Sequence, residues 1–192
     1  MMRYPYCMSA PLHTEITIVR DFVNTVNLEE GPDEIATPAA LQRWLADAGL
    51  LSGARRLTQA DRERAANVRE ALRDLIGVNN GDALQPDVRA VLDAAATRAE
   101  LRVRFLADGS TTIEPGATGV DGALGRILSA AHTSMMCGTW HQLKLCGRDS
   151  CRWAFSDTSK NHSKRWCSME TCGNRAKGEA FRRRKQEHTH PV

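Results

Sequence analysis

Two cysteine pairs of identical spacing limit what the C-terminal quarter of this 192-residue chain can become: Cys146-x4-Cys151, fifteen intervening residues, then Cys167-x4-Cys172. Two short pairs joined by a modest loop can set four thiolates at the corners of a tetrahedron, and zinc is the usual ion of an all-sulfur tetrahedron. An iron–sulfur centre suits such symmetric pairing less well. Four protein ligands leave no vacant position for water or substrate, so the expected single zinc is a scaffold and not a hydrolytic centre. A segment of about 45 residues buries too little surface to fold alone, and metal binding on the order of 10–16 kcal/mol supplies what is missing. Trp153, Phe155 and Trp166 are expected to pack as its small core. His141 and His162 flank the module, where one could replace a cysteine at the metal, although the symmetric quartet favours four thiolates.

Charge divides the chain at the same point. From Trp140 to Val192 there are 12 Lys+Arg against 5 Asp+Glu, a net of +7, whereas residues 1–139 carry 14 against 18, a net of −4. All five lysines and three of the four tryptophans fall in the last 53 residues. A basic module with interleaved aromatics has a polyanion as its obvious partner. The length fits one medium domain, residues 1–139, followed by a small module, residues 140–192. No apolar run reaches the roughly 18 residues a membrane helix needs. The N-terminus lacks the basic start, apolar centre and cleavage site of a secretory signal. A cytoplasmic, nucleoid-associated address is expected, with disulfides disfavoured there. Cys7 and Cys137 then read as inert small hydrophobes.

The periodicity predicts an α+β fold: a mainly helical N-terminal domain with one small β-hairpin, then a treble-clef-like four-cysteine finger. Ile18, Val19, Phe22, Val23 and Val26 recur at helical steps over about residues 17–27, and the acidic loop EEGPDE ends that helix. Thr37 before Pro38 is an N-cap followed by an N1 proline, and Leu41, Trp44, Leu45 and Ala48 make an apolar face up to Gly49. Thr58 with Asp61 resembles a capping box opening a helix that runs toward Asn79. A fourth helix is expected from Pro86. The period then falls to two: Leu101, Val103 and Phe105 alternate with arginines before Asp108-Gly109 and a second short run from Ser110 to Glu114, a hairpin pattern. Helical spacing returns from Val120 to Met135. In the tail, a short hairpin is expected through Trp153–Asp157 and a helix from about Gly173.

Residue type and charge nominate the contacts. Arg148, Arg152, Lys160, Lys164, Arg165, Lys177, Arg183, Arg184 and Lys185 suit phosphates. Asn161, Asn174, Arg175 and Arg182 suit base edges, because arginine pairs bidentately with guanine and asparagine with adenine. Trp166 can shield the metal or lie against a sugar or base. Asn174 and Arg175 equally fit a structural role beside the last ligand, capping the turn or pairing with Asp157. In the N-terminal domain Asp21, Asn24 and Thr25 are polar residues on or beside an apolar helix. They can recognise an effector or be satisfied core polars. His132 reads as a packed histidine. No serine–histidine–acid cluster, glycine-rich phosphate loop or HExxH helix occurs, so no enzymatic activity is expected.

The run Cys172-Gly173-Asn174-Arg175 resembles the signature of the CGNR zinc-finger family. Phe155-x-Asp157 and Lys164-Arg165-Trp166-Cys167-Ser168-Met169 agree with it over roughly residues 145–184. Asp21-Phe22-Val23-Asn24-Thr25 and the later Leu41-x-x-Trp44-Leu45 are similar to motifs of the ABATE domain that commonly precedes this finger. The resemblance implies a stress-induced bacterial transcription regulator whose finger binds double-stranded DNA. The N-terminal domain would then sense a small-molecule effector or form a homodimer. A redox regulator that loses zinc when its thiolates oxidise, and an RNA-binding finger protein, are the alternatives.

Overall fold

A computed structural model describes residues 12–29, 31–51 and 56–189. Cys7 lies outside them. Helix α1, Leu12–Val23, buries Ile16, Val19, Phe22 and Val23. It ends four residues before the periodicity predicts, because Thr25 turns its hydroxyl back onto the Phe22 carbonyl (2.9 Å) and the Asn24 side chain leaves for a partner far along the chain. Helix α2, Pro38–Asp47, begins as its sequence dictates: Thr37 Oγ1 accepts the Ala40 N–H and proline fills the first turn. Helix α3, Gln59–Gly77, opens on a complete capping box, with the Thr58 N–H donating to Asp61 (2.7 Å) and the Asp61 N–H to Thr58 Oγ1 (3.2 Å). A 3-10 turn, Val78–Asn80, follows it. Helix α4 spans Pro86–Arg98 and α5 spans Gly119–Met136. Cys137 caps the C-terminus of α5 and is half-buried.

Strands β1, Leu101–Phe105, and β2, Thr111–Pro115, pair antiparallel with Val103 opposite Ile113. The hairpin's period is as expected; its burial is not. Only its Leu101–Pro115 end sits on α5, where a Cβ on Gly125 would lie 2.7 Å from Ala99 Cβ and 2.8 Å from Pro115 Cβ, so glycine permits the approach. Beyond that point the ribbon overhangs, leaving Val103 59% and Phe105 83% exposed. His132, on α5, is likewise exposed rather than packed.

After a 3-10 turn, Trp140–Gln142, come strands β3, Leu143–Leu145, and β4, Ala154–Ser156, which pair antiparallel, and then helix α6, Asn174–Thr189. One hydrophobic core runs through both halves of the chain. Trp140, Leu143, Leu145 and Ala154 belong to the same buried cluster as Phe22, Leu45, Leu72, Ile76 and Ile127. At about 1.5–3 kcal/mol per fully buried large aliphatic side chain, Leu143 and Leu145 alone tie the hairpin firmly to α3.

Polar clasps cross the same seam. Asn24 donates to the Ala154 carbonyl (2.8 Å) and accepts the Ala154 N–H (2.9 Å), standing in for a neighbouring strand along β4. Asn79 donates to the Trp140 and Leu143 carbonyls, and Asn80 holds both backbone groups of Leu145. The buried Arg73 donates to the Val23 carbonyl (2.6 Å) and the Arg152 carbonyl (3.0 Å) and pairs with Glu70. Each clasp satisfies backbone groups that would otherwise be costly to bury. A second network fixes the loop after α1: Asp33 accepts from Arg69 (2.6 Å) and Arg62 (2.9 Å), and Arg69 also reaches Thr25 Oγ1. Burial opposes the Asp33 charge, but Arg69, the Ile35 N–H and Arg62 together hold its carboxyl below the usual range.

Candidate metal centre and nucleic-acid interface

The inner ends of β3 and β4 deliver the first pair of thiols. Cys146 follows Leu145 directly, and its N–H donates to the Trp153 carbonyl (2.9 Å). The turn closes on Cys151 N–H to Arg148 carbonyl (3.0 Å), and Arg152 leaves it in the left-handed region at φ 44°. That strained backbone is held by Arg73 on its carbonyl and Asp74 on its guanidinium. Of the second pair, Cys167 precedes and Cys172 lies within a wide π-type turn, Met169–Gly173, entered through Ser168, whose hydroxyl accepts the Thr171 N–H. Gly173 is needed for more than its turn: a Cβ there would sit 3.2 Å from the Trp166 ring and closer still to Met169.

Cys146, Cys151, Cys167 and Cys172 present their sulfurs within 4.8 Å of one another, with 3.9 Å between Cys151 and Cys167 and 3.6 Å between Cys167 and Cys172. A zinc–sulfur bond of about 2.3 Å in a tetrahedron requires sulfur separations of about 3.8 Å, so the cage fits zinc. Burial pushes the Cys151 thiol up to about 11 and also raises Cys167. Burial works against a Cys172 thiolate too, but hydrogen bonds from the Cys167 thiol and from Arg148 outweigh it and lower that group. Zinc must therefore displace protons that burial favours, and its affinity falls as pH falls. The four cysteines hold one structural zinc. His141 and His162 stack edge to face at 4.8 Å and take no part in the cage.

Around the sulfurs, Trp153 and Trp166 pack as expected, whereas Phe155 does not. The alternation along β4 sends Ala154 into the main core and leaves Phe155 in a hollow beside α1. Asp157, fully buried, organises the loop beyond β4. Its carboxylate accepts from the Ser159 N–H (3.0 Å), the Ser159 hydroxyl (2.6 Å) and the Lys164 N–H (2.9 Å), with Lys144 Nζ at 3.6 Å. These groups overcome burial and hold its carboxyl down to about 2.

Family models match nearly the whole described chain. Residues 142–185 match the CGNR zinc finger, and residues 17–138 match ABATE, described as a putative stress-induced transcription regulator. The chain belongs to the ABATE family. No curated protein matches it. Among the described residues no helix is long and apolar enough to cross a membrane.

The CGNR finger of this ABATE protein carries its charge mainly outward. Lys160, Asn161, Lys164 and Arg165 are exposed on the loop before the second cysteine pair, and Asn174, Arg175, Lys177, Arg182, Arg183, Arg184 and Lys185 are exposed on α6. Arg165, Lys177 and Arg183 share a groove of about 750 Å³ between the first cysteine turn and α6, walled by Trp166, with Asp149 and Glu179 also on its rim. The Arg165 guanidinium lies 5.1 Å above the Trp166 ring, so the half-buried indole meets both the cage and the groove. Asn174 caps the preceding turn through the Glu170 carbonyl. Arg152 pairs with Asp74, and Arg148, only 10% exposed, pairs with Glu29 and Glu179. Arg175 pairs with Glu29, not with Asp157.

In the ABATE domain, Asp21 is exposed and paired with Arg20, Asn24 is the clasp on β4, and Thr25 is buried under Arg69. Asp21 and Asn24 line one hollow with Trp44, Trp153 and Phe155. Sequence reasoning passed over Glu29, Asn79, Asn80 and Arg73. Glu29 lay in a segment that looked like a solvated acidic loop, and the asparagines looked like an ordinary helix end.

Proposed function

We propose that this ABATE–CGNR protein is a zinc-dependent transcription regulator that binds double-stranded DNA through its finger, while its N-terminal domain receives an effector or forms a dimer. One observation carries the DNA partner: the exposed cations of the Lys160–Arg165 loop and of α6 meet at a groove beside a closed, catalytically inert metal cage. Supporting the effector is the cavity of about 530 Å³ where Asp21 and Asn24 join three aromatic rings from both halves of the chain.

The test uses the full zinc-loaded chain and duplex DNA. Neutralising about six phosphates gives a log–log salt slope near −5. Chelation of the metal should abolish binding, because the loop and α6 then lose their anchor. Zinc-loaded protein with no salt-dependent affinity would refute the proposal. The position of Trp166 against the groove favours single-stranded RNA as the second partner, since an indole face stacks any base. Competition between duplex DNA and single-stranded RNA at matched salt decides between them.

A further inference from the structure

Glu29 belongs to the loop after α1, yet its carboxylate lies against the finger. Its Oε1 accepts from Arg148 at 2.9 Å and from Arg175 at 3.0 Å, and its Oε2 is 3.1 Å from Arg148. The loop is set for this, because Asn27 Oδ1 accepts the Glu29 N–H (3.0 Å). The two arginines differ in access. Arg148 is 10% exposed and also faces Glu179 and the Cys172 sulfur, whereas Arg175 is 48% exposed at the start of α6.

Holding the two halves together does not require this contact. The shared core around Leu143, Leu145 and Ala154 and the clasps from Asn24, Asn79, Asn80 and Arg73 already do so. An oxyanion shared between two guanidiniums is the arrangement by which arginines grip a phosphate. A phosphodiester presented to the outer face of Arg175 meets a carboxylate already in place, and two anions on one guanidinium repel.

We propose that Glu29 is an internal phosphate mimic: it occupies the oxyanion position on Arg175, with Arg148 behind it, and DNA must displace it to gain that backbone contact. This rests on the DNA-binding proposal above. Binding of DNA thereby frees the loop between α1 and α2, and any ligand that draws this loop away raises DNA affinity.

The experiment compares the full zinc-loaded chain with E29Q by fluorescence anisotropy on one duplex, with E34Q as a control that removes an equal charge from the same loop, where among the described residues Glu34 forms no ion pair with Arg148 or Arg175. Zinc content and melting temperature are checked for each. E29Q should bind about tenfold tighter, and its salt slope should steepen by about 0.9, one phosphate's share. Adding Arg175→Ala to E29Q should remove the gain. In the unmutated protein, the Glu29 side-chain carboxyl resonance should shift as DNA is added. Equal affinity of E29Q and wild type, an equal gain in E34Q, a gain that survives Arg175→Ala, or a Glu29 resonance that ignores DNA each overturns the inference. Wild-type protein with no salt-dependent binding overturns the DNA proposal itself, and the inference falls with it.

Discussion

Replacing Asp157 by asparagine tests how the basic loop is held. The carboxylate is fully buried and uses both oxygens, one for the Ser159 N–H and hydroxyl and the other for the Lys164 N–H. Asparagine keeps one acceptor and turns the other into a donor, so one side of the loop faces an N–H against an N–H. The magnitude follows from the titration. A carboxyl held at about 2 in the folded chain, against about 3.9 in an unfolded one, contributes about 2–3 kcal/mol at neutral pH. Because the folded value is the lower one, this contribution is complete above about pH 5 and is lost as pH falls through about 2. The zinc thiolates take up protons on that same acid side, so the comparison belongs at pH 7 with zinc in excess. There, D157N should lose about 2–3 kcal/mol in urea unfolding followed by tryptophan fluorescence, and about 5–10 °C in melting temperature. The Ser159 and Lys164 amides should exchange faster while zinc stoichiometry stays at one. A loss below about 0.5 kcal/mol would show that the loop is ordered by something other than this carboxylate.

Two further substitutions probe the seam between the halves. Asn24→Ala strips both backbone partners from the buried Ala154 and should cost about 2–4 kcal/mol in the same unfolding assay; a near-neutral result would mean that Asn24 serves a ligand rather than β4. Arg73→Met keeps the side-chain volume but orphans the Val23 and Arg152 carbonyls, so a loss of about 2–4 kcal/mol is expected, with weakened zinc retention against a chelator because Arg152 closes the first cysteine turn. Unchanged zinc retention in a destabilised R73M would separate Arg73 from the metal site.

What could be read in advance was whatever a few neighbouring residues decide. The Thr37–Pro38 cap, the Thr58–Asp61 box and the four-thiolate cage each depend on spacings of at most a few positions, or on ligand chemistry that leaves no alternative. The features that were missed pair a side chain with a backbone group far away: Asn24 with Ala154 across 130 positions, Asn80 with Leu145 across 65. No periodicity marks such partners, and asparagine beside a helix end looks like a cap. Burial failed for a related reason. Phe105 alternates as a strand residue should, but whether an alternating face is covered depends on how far α5 extends beneath it. Proximity in sequence points Phe155 to the metal core, although β4 has a second neighbour in α1. Glu29 looked like solvated charge because its arginine partners lie 119 and 146 positions away.

Asn24's two hydrogen bonds to Ala154 also have a thermodynamic consequence. If zinc retention depends on this clasp, a ligand whose affinity changes when the clasp opens changes the finger's zinc affinity by the same factor that zinc changes the ligand's. Metal supply and effector level would then act as one variable, so that scarcity of zinc registers at the hollow beside α1 with no separate sensor for the ion.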